Sequence, residues 1–262
     1  MGLFTGFLEK AKMRGITYTS LDAMKFFAII NMTADHIGFY FEPHHLWWRA
    51  IGRITFPVWF FLVGYSRSRA LGKTLWIYAI ILMASDPFIG ASIFPLNALV
   101  SVILSRLFLN LCEDRQWLPE KLPEILVACV LLTLPTTLFF EYGSIAFLFA
   151  VMGRMVHTKQ TRHFLALIIV SYVTFIAWQL IWFKFDTMQT AYVAVGSALV
   201  IGWLARCPNN VIWPQWTGSH WKTLVAVLSR NTLPYYFFHR FGFEIVYGLI
   251  VKKGFVFILK FF

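Results

Sequence analysis

The chain has 262 residues, of which 59% are hydrophobic and only 13% charged, and a formal net charge of +11. A soluble domain of this size usually carries about 25% Asp, Glu, Lys and Arg, so the composition excludes a soluble fold. The apolar residues, including 28 Phe and 11 Trp, lie in blocks long enough to cross a bilayer, roughly 17 to 25 residues each.

The N-terminal stretch MGLFTGFLEKAKMRGITYTS lacks the apolar core and small-residue cleavage site of a signal peptide. Leu3, Phe4, Phe7 and Leu8 set against Lys10, Lys12 and Arg14 predict an amphipathic helix lying on the membrane. Spans are then predicted at 20–41, 46–65, 74–95, 97–112, 124–141, 142–157, 164–183, 189–205 and 231–251. The expectation is an all-α, polytopic integral membrane bundle of about nine to ten helices, forming one domain over residues 1–262. Tight turns are predicted at Pro95-Leu96-Asn97 and Tyr142-Gly143, and a long polar loop at 207–221. Residues 252–262 are too short to span and read as an interfacial helix.

Lys and Arg collect in alternate loops: Lys10, Lys12 and Arg14; Arg67, Arg69 and Lys73; Arg115 and Lys121; Arg154, Lys159 and Arg162; Arg206 and Lys222. The loops between them are almost bare, which places the N-terminus in the cytoplasm. Lys252 and Lys253 leave the side of the C-terminus open. The net positive charge reads as this bias, with loops held beside anionic lipid, or in part as a cytoplasmic mouth for a polyanionic cofactor. No basic soluble module is present to bind nucleic acid. Cys112, Cys129 and Cys207 show neither disulfide nor metal spacing, and no metal is expected.

Function is carried by the polar residues inside the spans, because an ionisable group there must be paired, hydrated or functional. In the first span Asp22, Lys25 and His36 share a face, since offsets of 11 and 14 residues are nearly whole turns at 3.6 residues per turn. Asn31 and Asp35 form a second stripe. In the second span Arg53 lies deep and needs an acceptor, for which Asp35 is the candidate; Arg49 is near enough to the end to snorkel. Gly52 and Pro57 allow close packing and a kink. Asp86 reads equally as a turn residue, and Glu141 as an interfacial carboxylate. In the last span His239 lies near mid-depth, with Arg240 beside it and Glu244 five residues on. Read from the residues alone, this cluster suits an enzyme that couples proton transfer to acyl or phosphoryl movement. It equally suits a proton-coupled transporter or flippase. A non-catalytic membrane scaffold is a third reading, and the absence of an internal repeat weighs against the transporter.

The segments LDAMKFFAIINMTADHIGFYF (21–41) and RAIGRITFPVWFFLVGYS (49–66) resemble the TraX family, membrane proteins linked to N-terminal acetylation of conjugative F-pilin. The pairing of DHIG with IGRxxFP is the most specific mark; EYG at 141–143 and the aromatic span around His239 are similar to later family elements. LDxxK at 21–25 and SRNTLPYYFFH at 229–239 are similar to elements of the wider transmembrane acyltransferases, among them heparan glucosaminide N-acetyltransferase. Lys25 stands where those relatives usually carry Arg, which keeps the charge but not the bidentate fork.

The resemblance implies transfer of an acetyl group from cytoplasmic acetyl-CoA, as co-substrate, across a bacterial inner membrane. The acceptor it implies is an amine or hydroxyl at the outer face, on pilin or another cell-envelope molecule. On that reading His36 is the general base and Asp35 anchors Arg53, which stabilises the thioester oxyanion or orients the acceptor. His239 is a second acid/base. Glu141 and Tyr142 bind the acceptor, and Lys25, Arg106 and Arg230 face the phosphates of CoA.

Overall fold

The computed structural model describes residues 19–206 and 219–251, with the backbone alone at 219–223. The amphipathic entry helix, most of the 207–221 loop, Cys207 and the interfacial helix expected at 252–262 lie outside the described residues. Among those described the fold is all-helical, without strands: α1 Ser20–Tyr40, α2 Leu46–Arg53, α3 Phe56–Tyr65, α4 Lys73–Ser85, α5 Ala98–Asp114, α6 Leu122–Thr137, α7 Ile145–Thr158, α8 Phe164–Trp182, α9 Thr187–Ala205, α10 Ser219–Arg230 and α11 Thr232–Val246. A short π-helical turn, Tyr247–Val251, continues the last of these.

Local chemistry sets the helix ends. A capping box opens α1: Asp22 N–H donates to Thr19 Oγ1 at 3.2 Å, and Thr19 N–H donates to Asp22 Oδ2 at 3.1 Å. Asp22 therefore closes a helix end, and its other oxygen accepts from Ser229 Oγ on α10 at 3.2 Å. The predicted span 46–65 is two helices rather than one. Pro57 has no amide hydrogen, and in a continuous helix its ring would clash with the carbonyl of Arg53 four residues earlier. The helix stops at Arg53, and Thr55 Oγ1 donates to the Gly52 carbonyl at 2.7 Å.

The span expected at 74–95 ends at Ser85 and passes into a 3-10 turn, Asp86–Ile89, closed by Gly90 at φ 71°. The two tight turns are joined to each other: Leu96 N–H donates to Phe139 O at 2.9 Å, and Glu141 N–H to Leu96 O at 2.8 Å. The sequence reading gave no helix to α10. It is 12 residues long, about 18 Å at 1.5 Å per residue, too short to cross a bilayer, and it packs along α1.

The main core lies where α3 crosses α7, with Phe56, Phe60, Phe61 and Phe149 buried against Phe175 of α8. Phe56 stacks on Phe175 at 5.2 Å between centroids. A smaller core joins α4, α5 and α11, where Tyr78 stacks on Phe237 at 4.1 Å. The outer faces are apolar: Leu131, Leu165 and Leu199 are 72%, 70% and 70% exposed. Buried positions meanwhile hold Asp22, Asn31, Asp35, Arg53, Asp86 and Glu244. Helices α8 and α9 have mean hydropathy 2.2 and 1.4 and are long and apolar enough to cross a membrane. This inversion, polar within and apolar without, is what a lipid surrounding favours.

The α3–α7 crossing depends on two glycines in backbone contact. A Cβ on Gly64 would lie 1.8 Å from the Ala150 carbonyl oxygen, and one on Gly153 would lie 2.0 Å from that of Phe61. Small residues at such crossings let helices approach closely. Because the opposing atoms are backbone, a side chain here must separate the helices, an overpacking that costs about 1–3 kcal/mol or more. Gly153→Ala is expected to lower the thermal unfolding midpoint in detergent by about 2–4 °C for each kcal/mol lost; an unchanged midpoint would refute the crossing.

Candidate active site

Asp35, 6% exposed, joins α1 to α2. Its Oδ2 accepts from Arg49 Nη1 at 3.0 Å and from Arg53 Nη2 at 2.8 Å, and Arg49 Nη1 also reaches the Asp35 carbonyl at 3.1 Å. Two glycines permit this closeness. A Cβ on Gly52 would sit 2.1 Å from Asp35 Cβ, and one on Gly38 would sit 2.4 Å from Trp48 Cβ. Both guanidiniums lie over the Phe183 ring, at 5.5 Å for Arg49 and 4.8 Å for Arg53, and Arg53 is also 5.8 Å from the centre of Tyr142. Tyr142 adopts φ 71°, followed by Gly143 at 53°. A bulky residue in the left-handed region is strained, and here the turn brings its ring beside Arg53. Two cations share this one carboxylate.

One turn on from Thr33, α1 meets α11. His36 Nδ1 lies 2.7 Å from His239 Nε2, and His239 Nδ1 lies 2.8 Å from the Tyr235 carbonyl oxygen. The carbonyl only accepts, so His239 Nδ1 carries the hydrogen. In the neutral ring its Nε2 is then the acceptor, and His36 Nδ1 must donate. That leaves neutral His36 with an unprotonated Nε2. Thr33 Oγ1 donates to Ile29 O at 2.9 Å, so the Tyr235 hydroxyl donates to Thr33 Oγ1 at 2.8 Å and fixes the same turn of α11.

A second buried network joins α11 to the ends of α1 and α4. Arg240 donates to Asp86 Oδ1 at 3.0 Å, to Glu244 Oε1 at 3.1 Å and to the Tyr236 hydroxyl at 3.3 Å. Glu244 also accepts from Tyr40 Oη at 3.1 Å and Ser85 Oγ at 2.6 Å. Asp86 is therefore an ion-pair partner of the last helix and more than a turn residue.

Asp35, His36, Arg53, Tyr142 and Tyr236 meet at a cavity of about 780 Å3, within the roughly 300–1,000 Å3 of small-molecule sites. Lys25, Arg67, Arg106 and His157 line one end; Asp35, His36, Arg53, Tyr142 and Tyr236 line the other, with Phe56, Trp59 and Val102 among the apolar walls. Lys25 and His36 share the cavity face of α1, about 16 Å apart along its axis at 1.5 Å per residue. The basic end coincides with the loops where Lys and Arg collect.

Of the residues singled out from sequence, Lys25, Asp35, His36, Arg53, Arg106 and Tyr142 line this cavity. Arg106 also donates to Ala70 O at 2.7 Å. His239 stands behind His36 and does not itself line the cavity. Arg230, at the end of α10, and Glu141 are likewise outside the lining. Ser101 Oγ donates to the Glu141 carbonyl, and its carboxylate makes no hydrogen bond among the described residues. Asn31 donates to Phe27 O at 2.9 Å rather than joining Asp35. Sequence reasoning missed Arg49 as a partner of Asp35, and Tyr236, Arg240, Asp86 and Glu244 as a network. The i,i+4 spacing of Arg240 and Glu244 was the available signal. No group of His, Cys, Asp and Glu suited to a metal occurs among the described residues.

Removing the acceptor of a buried ion pair leaves unpaired charge, which costs about 3–5 kcal/mol. Asp35→Asn is therefore expected to reduce the yield of folded protein and its unfolding midpoint sharply. Glu120 offers the contrast. It pairs with Arg162, but the two side chains are 64% and 56% exposed, and such pairs contribute about 0–1 kcal/mol. Glu120→Gln should scarcely move the midpoint; equal losses in the two variants would refute the assignment of Asp35.

The model of the TraX family, described as TraX protein, matches residues 20–224 of this chain. The chain is also 27% identical over 143 residues to the uncharacterized protein RP591 of Rickettsia prowazekii (strain Madrid E), which covers 54% of this chain and 57% of that protein. The chain thus spans little more than half the length of that relative. No solved structure matches it. The family match, the two long apolar helices and the apolar exterior together indicate membrane association. The matched region contains Asp35 and His36 on α1, Arg53 on α2 and the α3–α7 crossing, and a match of this extent means that the chain belongs to the TraX family.

Proposed function

We propose that this protein is a multi-pass acetyltransferase of the bacterial inner membrane. It takes the acetyl group from cytoplasmic acetyl-CoA and passes it to an amine or hydroxyl at the outer face, with a pilin N-terminus as the acceptor of family precedent. The observation that carries the reading is the chain from His36 through His239 to the Tyr235 carbonyl, which leaves Nε2 as the unprotonated nitrogen of neutral His36 at a cavity whose opposite end is basic. Charge bias puts that basic end in the cytoplasm. Lys25 and Arg106 there suit the phosphates of CoA, and the apolar walls suit the pantetheine arm reaching toward His36.

In this scheme the acceptor nitrogen or oxygen attacks the thioester carbonyl carbon while His36 Nε2 takes its proton. The cation that forms is stabilised because His36 Nδ1–H already donates to His239, whose Nδ1–H donates to the Tyr235 carbonyl. His239, which stands behind His36, acts as a positioning residue and not as a second acid/base. When the C–S bond breaks, His36 returns the proton to the thiolate, giving CoA and the acetylated acceptor. Arg53, fixed by Asp35, supplies positive potential for the charge that develops. Tyr142 borders the space that the acceptor enters.

The test is release of free CoA from acetyl-CoA by the purified protein in detergent, with and without a peptide bearing a free N-terminus. Acceptor-dependent release is expected. His36→Ala should reduce it by about 10²–10⁴-fold, the usual contribution of a general base, while acetyl-CoA binding persists. Neither release nor binding at millimolar donor would transfer the same Asp, His and Arg cluster to a proton-coupled transporter or flippase.

A further inference from the structure

We infer that the hydroxyl of Tyr236, polarised by Arg240, is the hydrogen-bond donor to the thioester carbonyl oxygen; this rests on the acetyl-transfer reading of the cavity. Tyr236 lines the cavity. Its ring meets that of His36 edge-on at 5.8 Å, and that of His239 at the same distance. Arg240 Nη1 is 3.3 Å from the Tyr236 oxygen. A guanidinium only donates, so the phenol oxygen is the acceptor in that contact and its own hydrogen is free to point elsewhere. No described residue accepts it.

The other tyrosines nearby are differently placed. Tyr235 gives its hydrogen to Thr33, and Tyr40 gives its hydrogen to Glu244. Tyr142 lines the cavity beside Arg53, which lies 5.8 Å from its ring centre and makes no hydrogen bond to its hydroxyl. Tyr236 alone among these combines ring contact with His36 and a cation bonded at the phenol oxygen. That cation withdraws electron density from the O–H and strengthens it as a donor. Arg240 is itself held by Asp86 and Glu244, so the donor is fixed before substrate arrives, as electrostatic stabilisation of a transition state requires.

The step balances as follows. The acceptor nitrogen forms a bond to the carbonyl carbon, and the C=O π pair moves onto oxygen. Tyr236 donates to that oxyanion and keeps its proton. The pair then returns, the C–S bond breaks, and the thiolate takes the proton that His36 Nε2 removed from the amine. Amine and thioester become amide and thiol, with no other reactant. The second network thereby gains a purpose: Asp86 and Glu244 position Arg240, and Arg240 positions and polarises the catalytic phenol.

Tyr236→Phe removes only the hydroxyl. Loss of one oxyanion donor costs about 10²–10³ in kcat, and KM for acetyl-CoA should stay within about threefold because the contact tightens only as charge develops. A kcat within about threefold of the parent would overturn the inference, as would a loss confined to acetyl-CoA binding. If the Phe variant does not fold, 3,5-difluorotyrosine at position 236 decides the matter. It keeps the hydroxyl but ionises at lower pH, and a donor must be protonated, so the alkaline limb of the kcat profile should move to lower pH. An unmoved limb would overturn the inference. The parent reaction separates the two claims: no transfer by the unaltered protein fails the acetyltransferase reading itself, whereas transfer that survives the loss of the hydroxyl fails only the role of Tyr236.

Discussion

A single carboxylate shared by two arginines governs the geometry of the cavity end where His36 lies. Buried charge is costly unless its partner is close and well aligned, and Asp35 achieves this only because α1 and α2 approach at Gly52 and Gly38. The break between α2 and α3 belongs to the same device. Pro57 ends the helix at Arg53, so that residue's side chain lies at a helix terminus, against Asp35 and the ring of Phe183. The pairing of DHIG with IGRxxFP thus has a physical meaning: each motif contributes one charge and the glycine that lets the other reach it.

With α1 held in that orientation, its successive turns serve different neighbours. Lys25 and His36 face the cavity, Asp35 faces α2, Thr33 and His36 face α11, and Tyr40 reaches Glu244. The answering residues on α11 are Tyr235, Tyr236, His239, Arg240 and Glu244, within three turns of one helix. Two helices about 200 residues apart in sequence therefore supply the histidine pair and Tyr236. The histidine pair and the arginine network are adjacent along α11 and act through different atoms. The first sets which nitrogen of His36 is free, and the second sets which way the hydroxyl of Tyr236 can donate.

The helix pattern was legible because its causes are local. Apolar blocks and the turns at Pro95-Leu96-Asn97 and Tyr142-Gly143 state their structure within a few residues, whereas Asp22, read as part of a polar face, is a capping residue. Where the reading failed, the cause was a local signal given too little weight or one that only packing could resolve. Pro57, a kink by its sequence context, is a break. The stretch SHWKTLVAVLSR, whose start falls in the loop predicted at 207–221, is a helix secured against α1. Arg49 was expected to snorkel toward water, whereas proximity to a buried carboxylate holds it inward.

The sequence by itself determined that the chain forms apolar helices, where most of them begin and end, and which few polar side chains they must accommodate. It also placed Lys25 and His36 on one face, since that follows from helical periodicity alone. Only the tertiary structure decided which of those polar groups meet. That His36 is backed by His239, that Arg53 shares Asp35 with Arg49, and that Arg240 joins Asp86 to Tyr236 all depend on the rotation and crossing of helices distant in sequence. Those are set by the close contacts of Gly52, Gly64 and Gly153 and by aromatic packing around Phe56. Hydropathy and spacing describe one helix at a time, whereas a hydrogen bond between two helices depends on both.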